Sequence, residues 1–220
     1  MDIIAVDKVD NLLWLGRYSQ RVYMTIREFF IRYDAMIEHP DFYIQYCENL
    51  QIPNVYSDLN DFVRHYIDDK NDPNSIVTTL NRTYDNCIVL RNELGSETMS
   101  YLEVALNSLE DIEDFDSFSI DLQTVLDYIL AFWGSIDENI ENYEIRNIIK
   151  LGKRLERLDM FLRLRRLYKD LHMASETLNH RLKKAKIPYN REAFMHAREL
   201  IEGDGPLDYV KAISYVESIL

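Results

Sequence analysis

Glycine and proline are scarce in this 220-residue chain, six of one and five of the other. All five prolines, Pro40, Pro53, Pro73, Pro188 and Pro206, stand between periodic segments, so proline separates helices and interrupts none. No long alternating apolar run occurs, and no Asn-Gly or Asp-Gly turn joins two such runs, which removes the usual signals of strands and hairpins. No stretch approaches the roughly 18 uninterrupted apolar residues of a membrane span. The start at Met1-Asp2 lacks a basic segment ahead of an apolar run, so no signal peptide is expected. These absences point to a cytoplasmic chain with no membrane partner. The only cysteines, Cys47 and Cys87, lie far apart inside helical patterns. Buried free thiols are expected there, with a disulfide or a nucleophile as the alternative.

Catalytic and metal-binding signatures are also lacking. The histidines, at 39, 65, 172, 180 and 196, form no His-x-x-x-His pair and no Glu-x-x-His motif of the kind that builds carboxylate metal sites in bundles. Asp61/His65 and His172/Glu176 are spaced i,i+4 and read as surface hydrogen bonds. There is no Gly-x-Ser-x-Gly, no Walker loop and no dinucleotide glycine loop. No metal and no cofactor is therefore expected, and any nucleotide-dependent reaction would need a second protein to bind the nucleotide. The net charge of −13 argues against nucleic acid, whose phosphates would be repelled.

What the chain does have is an internal repeat. Asn11-Leu-Leu-Trp-Leu-Gly-Arg-Tyr-Ser-Gln-Arg21 and Asn147-Ile-Ile-Lys-Leu-Gly-Lys-Arg-Leu-Glu-Arg157 align without a gap at an offset of 136 residues. Each copy holds a glycine, Gly16 or Gly152, among helix formers, where glycine costs about 1 kcal/mol relative to alanine. Close approach of another backbone is the usual compensation. Leu12, Leu15, Val22, Ile26 and Phe29 keep the helical spacing of Ile148, Leu151, Leu155, Leu158 and Leu162. A second, polar stripe carries Gly16, Gln20, Tyr23 and Arg27 in one copy and Gly152, Glu156, Asp159 and Arg163 in the other. Each helix thus offers two faces and reads as a central element.

Periodicity and caps predict helices over about 7–38, 41–50, 57–69, 75–94, 97–112, 119–135, 139–173, 175–185, 191–202 and 206–218. Ser57, Ser96 and Asn190 are the expected caps of three of them, Gly95-Ser96 a sharp stop and restart, and Pro206 the first turn of the last. The predicted fold is all-α, a multi-helix bundle in one domain over 1–220, built from two pseudo-repeated halves at about 1–112 and 113–220.

The Leu-Gly-(Arg/Lys)…(Glu/Gln)-Arg pattern resembles the bacterial alpha-E family of helical domains with a Glu-Arg motif. Two further segments agree in order: Arg91-Asn-Glu-Leu-Gly-Ser-Glu-Thr-Met99 with Ala105-Leu-Asn107, and Asp137-Glu138. Gln20 stands where the family usually has glutamate, and Lys153 where it has arginine. The resemblance implies association with ATP-grasp-type peptide ligases and transglutaminase-like proteins, and supplies no established reaction.

Two charged groupings are candidate sites. Residues 150–186 hold twelve Lys/Arg and four Asp/Glu, leaving a strongly acidic remainder. These cations either pair with acidic helices or form a recognition surface centred on Arg163, Arg165, Arg166 and Lys169. The second grouping is Arg17, Arg21, Arg91, Glu97, Asp137, Glu138, Glu156 and Arg157. Charges gathered inside a bundle must be paired. This group either sets the register of the two halves or lines a polar cleft, with the arginines binding a carboxylate or Glu97, Glu138 and Glu156 doing acid-base work. The expected function is a non-catalytic helical partner holding an ATP-grasp-type ligase or its acidic peptide, the alternative an enzyme of peptide modification.

Overall fold

The computed structural model describes residues 6–110, 118–203 and 205–220. Most of them lie in ten helices: α1 (Val6–Glu38), α2 (Phe42–Leu50), α3 (Leu59–Asp68), α4 (Ile76–Val89), α5 (Arg91–Glu110), α6 (Phe118–Asn139), α7 (Tyr143–Arg163), α8 (Tyr168–Ala185), α9 (Arg191–Glu202) and α10 (Tyr209–Glu217). The fold is an all-α multi-helix bundle, with no strand among the described residues. No described helix is long and apolar enough to cross a membrane.

One apolar cluster draws residues from all ten helices. Leu12, Leu15, Val22, Ile26 and Phe29 of α1 are fully buried, as the 3-and-4 spacing requires. Phe29 meets Phe62 and Tyr66 of α3, and Tyr46 of α2 closes the aromatic group through a 3.1 Å hydroxyl contact with Tyr66. α5 and α6 run antiparallel, since Thr98 at the start of one meets Ser135 near the end of the other at 2.7 Å. α7 and α8 do likewise, with Arg181 donating to Asn147.

The long helix predicted over 139–173 is broken. α7 ends at Arg163, where the Arg165 N–H bonds the Leu162 carbonyl at 3.1 Å and the Arg166 N–H the Phe161 carbonyl at 3.0 Å. Arg165 takes a left-handed φ of 49° to close this motif. That position usually carries glycine, and an arginine there left no sequence signal. Equivalence with α1, which runs on to Glu38, therefore stops at Arg27/Arg163. The expected boundary at 112/113 and the end of the helix predicted over 97–112 fall outside the described residues. Two caps move as well. Asp58, one residue after Ser57, caps α3, and Asp208 rather than Pro206 opens α10; Asn190 caps α9 as expected, accepting from Ala193 N–H at 3.1 Å. Cys47 and Cys87 are buried free thiols, and burial pushes the Cys47 thiol up to about 12.

Gly95 and Gly134 separate two roles of glycine. Gly95 kinks α5 at φ 75°, a left-handed conformation, with open space where a Cβ would go; Gly134 is helical and equally uncrowded. Gly95→Ala is expected to cost about 1–2 kcal/mol through backbone strain alone. Gly134→Ala should instead stabilise by about 0.5–1 kcal/mol. Urea unfolding of the two variants checks the opposite signs.

Candidate functional site

α1 and α7 pack along each other at backbone contact. A Cβ on Gly16 would stand 2.0 Å from the carbonyl oxygen of Ile149, and one on Gly152 would stand 2.1 Å from that of Leu13. Leu13 and Ile149 are themselves equivalent across the 136-residue offset, so the two glycine contacts are reciprocal. Contacts further along advance in the same sense, from Gly152 against Leu13 to Glu156 with Arg21 and on to Arg166, just past α7, with Glu28, which makes the pair parallel. Met24 and Met160, equivalent again, share one small apolar cluster with Leu164.

Above the glycine contact the polar stripes meet. Glu156 is fully buried and accepts from Arg17 Nε at 2.9 Å on one oxygen and from Arg21 Nε at 2.5 Å on the other. Burial alone would raise its carboxyl, but Arg21 and Arg17 outweigh burial and hold it below the ordinary carboxylate range. One turn on, Asp159 accepts from Arg163 Nε at 2.8 Å, while its other oxygen is buried without a partner. Burial and the nearby charge of Glu156 push the Asp159 carboxyl up despite Arg163. Arg163 also donates to Gln51 and Glu217, at 2.5 and 2.6 Å.

Arg17, Arg21 and Arg163 form one wall of a cleft of about 470 Å³, faced by Trp14, Tyr66 and Ile52 among others. The Arg17 guanidinium lies over the Trp14 ring, 4.6 Å from its centre. Arg17 and Arg21 engage Glu156 through Nε, and their terminal nitrogens carry no hydrogen bond to the described residues. The cleft therefore presents the free guanidinium donors of Arg17 and Arg21 beside apolar and aromatic surface, with the Glu217 carboxylate in its lining already engaged by Arg163, an arrangement suited to a carboxylate on a partly apolar ligand.

Other expected site residues lie elsewhere. Arg91, Glu97 and Glu138 are exposed and join neither Glu156 nor each other. Asp137 is also exposed and pairs with Lys150. Arg163–Lys169 is only in part the open basic patch that composition suggested. Arg163 is locked by Asp159 and Glu217 and Arg166 donates to buried Glu28 at 2.5 Å, while Arg165, 5.5 Å from the Tyr209 ring, and Lys169 are exposed. The cause is the break after Arg163, which turns this segment back onto α1 and α10. Asp159, Gln51, Glu217 and Glu28 were missed as site residues. The i,i+4 spacing of Asp159/Arg163 and Glu28/Arg32 was the available signal, and Gln51 and Glu217 carried none. Among the described residues no group of three or more His, Cys, Asp or Glu could hold a metal.

A sequence profile for a predicted alpha-helical domain with a conserved ER motif, Alpha-E, matches residues 8–187. The chain belongs to the Alpha-E family. No curated protein and no solved structure matches it. The Alpha-E span takes in Glu156-Arg157 and all of the α1/α7 contact. In this Alpha-E chain the glutamate of that dipeptide is the fully buried centre of the arginine network.

Lys153, one residue after Gly152, carries a pH signature. Its Nζ lies 3.1 Å from the centre of the Trp133 ring, and burial, then the charges of Arg154 and Arg157, lower its pKa to about 7. In the unfolded chain the pKa is about 10.4. Between these values the unfolded state binds more protons, so Lys153 makes stability rise as pH climbs from about 7 to about 10.4. Lys153→Met should flatten that rise in urea midpoints measured at pH 7 and 9.5, and an unchanged difference between them would contradict it.

Proposed function

We propose that this Alpha-E chain is a non-catalytic binding partner in a bacterial peptide-ligation or peptide-modification system. It holds the acidic peptide, and an ATP-grasp-type ligase binds the nucleotide and performs the reaction. The observation that carries this reading is the cleft over Arg17 and Arg21. One buried carboxylate fixes both arginines through Nε, so their remaining donors are preorganised for a second carboxylate from outside. The carboxylates available for chemistry support it as well. Glu156 is bonded on both oxygens and held ionised, a poor proton acceptor, and Glu97 and Glu138 stand in solvent away from the cleft.

The test is titration calorimetry with tetraglutamate. Arg17→Lys keeps a cation beside Glu156 yet removes the guanidinium fork, so it should weaken binding about tenfold while the melting temperature falls little. Affinity should drop steeply as salt rises. Equal affinity for wild type and Arg17→Lys would overturn the placement of the peptide.

Asp159 favours the second reading, an enzyme. Burial and Glu156 raise its carboxyl, and one of its oxygens is buried without a partner next to Arg163, which lines the cleft. Modification of the peptide by the purified chain alone, lost in Asp159→Asn, would establish it.

A further inference from the structure

The cleft has a counterpart across the 136-residue offset, with basic side chains at the same three positions and without the carboxylates. Arg17, Arg21 and Arg163 correspond to Lys153, Arg157 and Arg27, whereas Glu156 and Asp159 correspond to Gln20 and Tyr23. Two anions are thus replaced by neutral groups at positions where three basic side chains remain.

The structure registers the loss. Gln20 is fully buried, and neither its amide oxygen nor its amide nitrogen has a hydrogen-bond partner. The Nε of Arg157 is likewise buried and unpartnered, so the bond that joins Arg21 to Glu156 has no equivalent. Arg157 has no ion pair among the described residues, and its guanidinium lies 5.7 Å from the Phe161 ring. A second cavity, of about 180 Å³, opens beside it, lined by the cations Arg157, Arg166 and Arg27, the carboxylates Glu28 and Asp170, and the Tyr23 ring among others. It is equivalent in place to the large cleft, since Arg157, Met24 and Arg27 here stand for Arg21, Met160 and Arg163 there. Arg166 Nε is a further buried N–H on this wall without a partner. Glu28 is already shared by Arg32 and Arg166, and Asp170 lies in the first turn of α8, where the helix N-terminus stabilises it.

Buried guanidinium N–H groups without acceptors are costly, and an incoming acceptor relieves that cost on binding. We propose that this cavity is a second ligand site, which takes a small dicarboxylate such as the side chain and terminus of an acidic residue. The ligand supplies from outside the carboxylates that Glu156 and Asp159 supply within the other half. The smaller volume suits a compact anion, so the two sites differ in ligand size.

Trp133 reports on the site. Its ring lies 4.9 Å from that of Tyr23 and beneath Lys153, and its indole N–H donates to Ser19 at 3.2 Å. The chain has only one other tryptophan, Trp14 in the large cleft, so Trp14→Phe isolates the signal. Titration of the Trp14→Phe protein with glutarate should give a saturable fluorescence change that the neutral isostere glutaramide does not give. Arg157→Gln should weaken it at least tenfold. Gln20→Glu places a carboxylate where Glu156 stands in the other half; it should abolish the response and raise the melting temperature. No saturable response to glutarate, or a response that glutaramide reproduces or that persists in both variants, would overturn the proposal. Tetraglutamate binding at Arg17 is read separately by calorimetry and does not depend on either variant.

Discussion

Gly16→Ala and Gly152→Ala will each destabilise the protein by about 3 kcal/mol, well beyond the range for surface helix substitutions. The added methyl would overlap a backbone carbonyl at 2.0 or 2.1 Å, and backbone cannot swing aside as the end of a flexible side chain can. The helices must separate, which also stretches the Arg17 and Arg21 bonds to Glu156. Because both glycines set the same interhelical distance, the second substitution meets a gap that the first has opened. The double variant should therefore lose less than the sum, whereas independent sites would add. Urea midpoints of the three variants measure this coupling directly. A loss under about 1 kcal/mol for either single variant would mean that the seam is not tightly packed.

Glu156→Gln is the second large effect. It preserves shape and removes the charge, leaving Arg17 and Arg21 without their carboxylate, so a loss of about 3 kcal/mol at neutral pH is expected from breaking a buried ion pair. Asp159→Asn should cost clearly less, because it also removes a carboxylate that burial and Glu156 already disfavour in its charged form. The pH dependence follows from the directions. A carboxyl held below its unfolded value contributes stability that is fully present above about pH 4.3 and is lost as pH falls through its folded value. Glu156→Gln should abolish that part of the acid-side decline. Asp159 acts oppositely, since its raised pKa makes stability fall as pH rises from the unfolded value through the folded one. Equal neutral-pH losses for the two variants would contradict the network as described.

The helical fold was legible because its signals are local: the 3-and-4 apolar spacing, the placement of proline and the side-chain caps. The close approach of Gly16 and Gly152 was legible for a similar reason, since a glycine inside a helix pattern demands compensation. So was the pairing of Glu156 with Arg17 and Arg21, because the polar stripe beside the glycines had to face the neighbour that the glycines admit. The failures share a cause as well. The turn after Arg163 uses a left-handed arginine where glycine would have announced it, and that turn carries Arg163 and Arg166 onto partners far away in sequence. Arg91, Glu97 and Glu138 were grouped with Glu156 by residue type and motif order, and neither fixes which side of a helix faces the seam. Gln20 read as a mere departure from a motif. Its meaning depends on Arg157, the counterpart of Arg21, whose Nε is buried without a partner as both Gln20 amide atoms are.

The most direct test of the account is a crystal structure of the protein with tetraglutamate. The cleft reading predicts a glutamate carboxylate within hydrogen-bonding distance of the terminal nitrogens of Arg17 and Arg21, with Glu156 still bonded to both Nε atoms behind it. Peptide density confined to Lys169 and the outer faces of α7 and α8, with the cleft free of ligand, would contradict it.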